Sequence, residues 1–178
     1  MIVLLVGMPG SGKDEFKKVA ISMGWDVVSM GDVVREYVAS KGLELTEKNV
    51  GQIASNERRL NGMDIWARRT LDKIKGERTV IDGIRNQEEV DFFKKSLGIR
   101  MVTVAILSTE KTRYERMIRR GRKDDIRNMD EFLERDKREL SWGLGNVIAK
   151  SDYYIVNEGT LEEFREKVKS FLNSLKDC

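Results

Sequence analysis

Lys13 and the glycines before it are the residues in this sequence best arranged to do chemistry. Lys13 closes the run Gly7-Met8-Pro9-Gly10-Ser11-Gly12-Lys13 and is followed by Asp14. Closely spaced glycines let consecutive backbone N–H groups converge on one concavity, and a following helix N-terminus adds positive potential. A lysine at the rim supplies a mobile charge for the β- and γ-phosphates of a nucleotide. The flanks agree with that use. Ile2-Val3-Leu4-Leu5-Val6 reads as a buried strand, and Phe16, Val19 and Ala20 follow at helical spacing. Strand, glycine-rich turn and helix together are the context of a phosphate-binding loop. Gly7, Met8, Pro9, Gly10, Ser11, Gly12, Lys13 and Asp14 are therefore the expected ATP-binding segment.

Two carboxylates are expected to serve a metal. The position after the lysine ordinarily carries a hydroxyl that binds Mg²⁺; Asp14 puts a hard oxygen ligand there instead, able to take the ion directly or through water. Thr79-Val80-Ile81-Asp82 is an apolar run closing on a second carboxylate, which is where a Mg²⁺-organising Asp stands beside such a loop. Arginines supply the remaining charge. Arg113, Arg116 and Arg119 fall at spacings of three on one helix flank, Gly121 breaks that helix, and Arg122-Lys123-Asp124-Asp125 forms a loop. The bland reading is a salt-bridged surface helix pair. The sharper reading, favoured next to a phosphate loop, is an arginine lid over polyphosphate.

The chain has 178 residues, enough for one substantial domain, 1–178. Its net charge is only +3 although 35% of residues are charged, so clustering decides function and balance does not. No stretch approaches the length of a membrane span, and the first apolar run is too short and lacks the basic flank of a signal peptide. The single cysteine, Cys178, excludes an internal disulfide and implies a reducing, cytoplasmic setting. Without histidine or a cysteine pair, a His/Cys zinc site is excluded.

The positioning elements follow from periodicity. Strands are expected over 2–6, 25–30, 79–82, 101–107 and 153–157, with Gly31-Asp32 ending the second. Helices are expected over 15–23, 33–38, around 56–59, over 64–75, through Val90 to Leu97 and on either side of Gly121. Asn128 with Glu131, and Thr160 with Glu163, fit capping boxes. Leu161, Phe164, Val168, Phe171, Leu172 and Leu175 form an apolar stripe on the last helix. Five strands alternating with helices imply a three-layer αβα fold around a five-stranded parallel sheet. Nucleotide should then lie at the carboxyl ends of the strands, where Gly7, Gly31, Asp82 and Asn157 fall.

Over nearly its full length the chain resembles the nucleoside monophosphate kinase group of P-loop kinases, most closely the adenylate kinase-related proteins of archaea. The glycine loop carries the resemblance first. Ser29-Met30-Gly31-Asp32-Val33-Val34-Arg35 resembles the group's Gly-Asp-x-x-Arg element, and Asp82-Gly83-Ile84-Arg85 resembles its Asp-Gly element with a following Arg. Gly121-Arg122-Lys123-Asp124-Asp125, with Arg135, resembles its lid signature. Two departures stand out. Arg85 comes one residue early, without the usual proline, and Asp14 replaces Ser or Thr. Tyr153 to Gly159 is similar to the end of dephospho-coenzyme A kinases.

The resemblance implies an ATP- and Mg²⁺-dependent phosphotransferase. Lys13, Asp82, Arg122 and Arg135 would be catalytic, with Arg119 or Arg120 also closing on the transferring group. Arg120 and Asn157 would join the ATP site, and Asp14 and Asp82 the metal. Gly31, Asp32, Arg35 and Arg85 would bind the acceptor. Residues 31–75 would form an acceptor-binding helical insertion, and 116–138 a short lid, with Asp124 and Asp125 fixing the lid arginines. Among small phosphorylated acceptors a nucleoside monophosphate ranks first and dephospho-coenzyme A next. The alternative is an ATP-binding switch or ATPase acting on RNA or a protein partner, with the basic cluster from Arg113 to Arg127 facing RNA phosphates.

Overall fold

The computed structural model describes residues 1–98, 100–121 and 126–175. Five strands form one parallel sheet in the order β2-β3-β1-β4-β5: β1 (Ile2–Val6), β2 (Asp26–Ser29), β3 (Thr79–Asp82), β4 (Met101–Leu107) and β5 (Tyr153–Val156). Every residue of β1 is buried, which is why its sequence runs apolar without alternation. Ile2, Leu4 and Val6 face one layer of helices, and Val3 and Leu5 face the other. The second layer is α1 (Lys13–Ser22) and α9 (Leu161–Ser174), packed through Phe16, Phe164, Val168 and Leu172. The first comprises α2 (Met30–Ser40), α3 (Glu47–Asn61), α4 (Ile65–Thr70), α5 (Gln87–Leu97) and α8 (Leu144–Ala149) around Trp66 and Phe93. α6 (Glu110–Arg120) and α7 (Met129–Ser141) meet over a smaller cluster of Met117, Ile126 and Phe132.

With β1 flanked by β3 and β4, the chain leaves the centre for one edge and later fills the other. The carboxyl end of β1 is thus the switch point where an open parallel sheet binds ligands.

Several local expectations change. Gly31 and Asp32 do not close the second strand. They lie in the first turn of α2, because the extended backbone of Ser29 already N-caps that helix and Met30 turns into the core. The helix expected over 64–75 gives way at Leu71 to a 3₁₀ turn. Asn128 caps α7 by accepting from Glu131 N, but the Glu131 carboxylate reaches Arg127 N rather than the cap residue. The capping box of Thr160 and Glu163 is complete. Leu161, at the start of α9, is exposed rather than part of its apolar stripe.

One buried ion pair ties the layer of α3 and α5 to the sheet end. Arg58 Nη2 donates to Glu89 Oε1 at 2.9 Å, and its guanidinium stacks 4.3 Å from the Trp142 ring centroid. The other Glu89 oxygen accepts from Arg85 N at 2.6 Å and so fixes the backbone of a predicted site residue. Burial pushes the Glu89 carboxyl up, against the pull of Arg58 and Arg85. Removing one partner strands the other's charge, a loss of about 3–5 kcal/mol. Arg58→Met should therefore lower the Tm by roughly 6–20 °C, and adding Glu89→Gln should recover part of it. An unchanged Tm in the single variant, read by calorimetry, would show that the pair is not integral to the fold.

Candidate functional site

The glycine loop leaves β1 and turns back on itself, with Ser11 N donating to Met8 O at 3.1 Å. Gly12 N-caps α1 in the left-handed region at φ 114°, a conformation that side chains with a Cβ rarely adopt. Gly10, at φ 79°, lies so close to α6 that an added Cβ would stand 2.7 Å from Arg113 O. The loop is braced from behind. Asn157 Nδ2 donates to Ser11 O at 2.8 Å, and Arg116 Nη2 donates to Asn157 O at 3.0 Å. Arg113 donates to Pro9 O at 3.1 Å while gripping both oxygens of Asp136, at 2.9 and 2.5 Å.

Lys13 folds over the loop, its Nζ donating to Gly7 O at 2.7 Å and Met8 O at 3.2 Å. Burial, reinforced by the nearby Arg85 charge, lowers its pKa to about 8, against the pull of Asp82, Glu139 and Asp14. The loop opens onto a cavity of about 600 Å³ whose wall includes Lys13, Asp14, Lys17, Asp82, Arg35, Arg85, Arg120 and Arg135.

Asp14 and Asp82 of this wall come together through a cation. Lys17 Nζ stands 2.9 Å from Asp14 Oδ1 and 2.9 Å from Asp82 Oδ2. Arg120 Nη1 donates to the second oxygen of Asp14 at 2.9 Å. Asp82 Oδ1 is buried and has no hydrogen-bond partner among the described residues. No cluster of three His, Cys, Asp or Glu occurs among them. Mg²⁺ does not need one, since it ordinarily takes one or two carboxylates and completes its shell with phosphate oxygens and water. Asp14 and Asp82, the latter with one unpartnered carboxylate oxygen, fit such an ion.

Arg35, Arg85 and Arg135 line both this cavity and an adjoining hollow of about 90 Å³. Val50, Ala54, Trp66 and Trp142 give the hollow apolar walls, and Arg58 and Arg138 add charge. Glu139 orders the junction. Its carboxylate is 2.7 Å from Arg85 Nε and 3.3 Å from Arg135 Nε. Burial would raise its pKa, but Arg85, Arg135 and Lys13 outweigh that and hold it below the ordinary carboxylate value. Gly31 and Asp32 border the larger cavity, and Asp32 accepts from Arg35 Nη1 at 3.0 Å.

The structure thus gathers Gly10, Gly12, Lys13, Asp14, Gly31, Asp32, Arg35, Asp82, Arg85, Arg120 and Arg135 around one cavity. Asn157 does not border it but supports the loop from behind. Arg119 borders a separate groove between α6 and the loop after β5. Arg122, Asp124 and Asp125 lie outside the described residues. Sequence reasoning missed Lys17, Glu139 and Glu89, and it read Arg113 and Arg116 as part of a lid where the structure uses them to brace the loop. Lys17 and Glu139 carried a signal, because each lies four residues beyond a flagged residue, Lys13 and Arg135, on the same helix face. Glu89 carried none.

These features define a P-loop kinase fold. A family model described as an AAA domain matches residues 6–132. Two solved shikimate kinases share the architecture. The enzyme of Bacteroides thetaiotaomicron superposes with a TM-score of 0.67 at 12% identity, over 97% of this chain and 98% of its own. That of Aquifex aeolicus gives 0.57 at 22%, over 99% and 96%. Sequence relatives are nearer. The UPF0200 protein of Thermoplasma volcanium is 52% identical, over 96% of each chain. That of Methanosarcina acetivorans is 40% identical, over 97% of this chain and 94% of its own. The chain belongs to the UPF0200 family.

The lowered pKa of Lys13 predicts a pH dependence. A polyphosphate anion favours the charged lysine and so raises its pKa on binding. Below pH about 8 the lysine is already protonated; above it, binding must take up a proton. Affinity for metal-free tripolyphosphate should therefore fall by about tenfold per pH unit above that point. Calorimetry in buffers of different ionisation enthalpy should detect proton uptake at pH 9 and almost none at pH 7. Equal uptake at both would contradict the placement of Lys13 on the anion.

Proposed function

We propose that this chain is an ATP-dependent phosphotransferase that moves the γ-phosphoryl group of ATP to a small phosphorylated acceptor, with a nucleoside monophosphate the first candidate. The observation that carries the reading is the line of Arg35, Arg85 and Arg135 between the loop cavity and the apolar hollow. An acceptor could lay its apolar body in the hollow, near Trp142, and its phosphate among these arginines. Residues 31–75 supply most of the hollow, in keeping with an acceptor-binding insertion. Residues 116–138 supply Arg120 and Arg135, in keeping with a lid.

In this reading Lys13 leaves its two loop carbonyls for the β- and γ-phosphates, and the loop N–H groups orient the chain of phosphates. A bound Mg²⁺, held by Asp14 and Asp82, would supply further charge neutralisation on the phosphate oxygens. Arg35 and Arg85 hold the acceptor phosphate so that its oxygen points in line at the γ-phosphorus. The new P–O bond forms there as the bond to the β–γ bridging oxygen breaks, leaving ADP. Arg135, and Arg122 by resemblance, stabilise charge on the transferring group. Such positioning and neutralisation carry phosphoryl transfer with little covalent help, which suits a chain without histidine. Glu139 keeps Arg85 and Arg135 aligned. The groove beside Arg119 and Gly159, which adjoins Gly12, would take the nucleoside end of ATP.

The switch reading is less well supported. Arg113 and Arg116 would have to face RNA, yet Arg113 is buried against Asp136 and Arg116 bonds to the loop brace. A screen of phosphorylated acceptors with labelled ATP separates the readings. Transfer to one acceptor should run far faster than hydrolysis; slow hydrolysis alone, stimulated by RNA, would favour the switch.

The arginines should divide by kinetic signature. A charged hydrogen bond contributes about 1.5–3 kcal/mol. Arg35→Ala should thus raise the acceptor KM by about 10- to 100-fold with ATP affinity nearly unchanged. Arg135→Ala should instead lower kcat, because its contact strengthens as charge develops. Loss of ATP affinity alone in both variants would contradict the assignment.

A further inference from the structure

Lys17 has no part in the reaction described above, yet it occupies the centre of the proposed metal site. It lies one helical turn beyond Lys13 on α1, facing the same cavity. Its ammonium is equidistant, at 2.9 Å, from one oxygen of Asp14 and one of Asp82. Its side chain is 20% exposed and that of Asp82 only 9%, so the contact is largely shielded from water. Standing between two carboxylates at hydrogen-bond distance, the ammonium has its charge directly compensated. From the other elements packed on this point, Arg120 of α6 faces Asp14, and Lys13 and Arg85 stand nearby.

We infer that Lys17 is a resident cation that competes with the divalent metal for Asp14 and Asp82 and yields only when a polyphosphate is present to receive it. The inference rests on the reading of those two carboxylates as the metal ligands. The geometry opposes joint occupancy. A Mg²⁺ ion binds oxygen at about 2.0–2.1 Å. An ion taking either of these oxygens would lie within about 5 Å of the ammonium that is 2.9 Å from the same oxygen, and the two cations would repel.

The lysine stem is flexible enough to swing the ammonium away. Anchored on the face of α1 that carries Lys13, it remains within the cavity that would hold the phosphates. Without polyphosphate, displacement costs the ammonium both carboxylates, and the other acidic residues of that wall, Glu15 and Asp32, are already paired with Arg165 and Arg35. With polyphosphate, it gains an anionic partner. Metal and polyphosphate binding are thereby coupled beyond their own direct contact, and metal alone is held weakly. Asp14, in place of a hydroxyl, supplies one of the two carboxylates that retain the lysine.

Mn²⁺ binding, followed by electron paramagnetic resonance with and without a non-hydrolysable ATP analogue, tests the inference without turnover. The protein without nucleotide should bind Mn²⁺ weakly, and Lys17→Met should bind it about tenfold more tightly or better. Lys17→Gln, which keeps hydrogen-bond donors between the carboxylates and so guards against misfolding, should do the same. Lys17→Arg should remain weak. With the analogue bound, the gap between the wild-type protein and Lys17→Met should narrow. Suppose Asp82→Asn weakens Mn²⁺ binding to the nucleotide complex while both neutral Lys17 variants bind metal no better than wild type; the competition is then absent although the metal site stands. If Asp82→Asn leaves that binding unchanged, the metal-site reading fails and the inference goes with it.

Discussion

The constraint on which this structure depends is the crowding of positive charge at the carboxyl end of β1. Lys13, Lys17, Arg35, Arg85, Arg120 and Arg135 border one cavity. Such a cluster is tolerable in a fold only if anions are interleaved with it. Asp14, Asp82 and Glu139 supply them, each touching or facing more than one cation. The arrangement leaves a net excess of positive charge where the loop N–H groups and the start of α1 converge. A polyphosphate would complete it.

The rest of the molecule holds that charge in place. The loop has no regular hydrogen-bonding ladder of its own, so its shape comes from neighbours. Asn157 grips Ser11 from the β5 side, and from α6 Arg116 grips Ser11 and Arg113 grips Pro9. Arg113 is in turn held by Asp136 of α7. The helices that carry Arg120 and Arg135 are thus fastened to the loop itself. On the opposite side, the Arg58–Glu89 pair fixes the backbone of Arg85. Charges aimed at a common point are therefore set by buried contacts several residues away from it. That is how a site can be preorganised without an occupant.

Much of this was legible in the sequence because its signals were local. The apolar runs gave the five strands, and the spacing of Gly7, Gly10, Gly12 and Lys13 marked the loop. Asp82 was marked by its place at a strand end. What escaped was set by tertiary packing. The arginines at 113, 116 and 119 share a flank in sequence, yet the first turns inward to Asp136 and the second to the loop brace. Periodicity cannot show this, because it gives the angle of a side chain about its helix and not the neighbour it meets. Asn157 fell at a strand end as expected, but its amide points at a backbone carbonyl rather than into the cavity. Gly31 and Asp32 read as a strand terminator because glycine commonly ends strands. The N-cap at Ser29 starts the helix earlier and presents both residues to the cavity instead. The spacing of Lys17 from Lys13 puts both on one helix face, but only the fold brings Asp82 to it.

The central claim is that the excess positive charge above β1 exists to hold the phosphates of a nucleotide. Titration calorimetry with a non-hydrolysable ATP analogue and Mg²⁺, on the wild-type protein and on Lys13→Met, tests it most directly. The account predicts one nucleotide per chain for the wild type and loss of binding in the variant, with the variant's circular dichroism and melting profile still those of a folded protein. Undiminished binding by folded Lys13→Met, or no binding by the wild type, would contradict it.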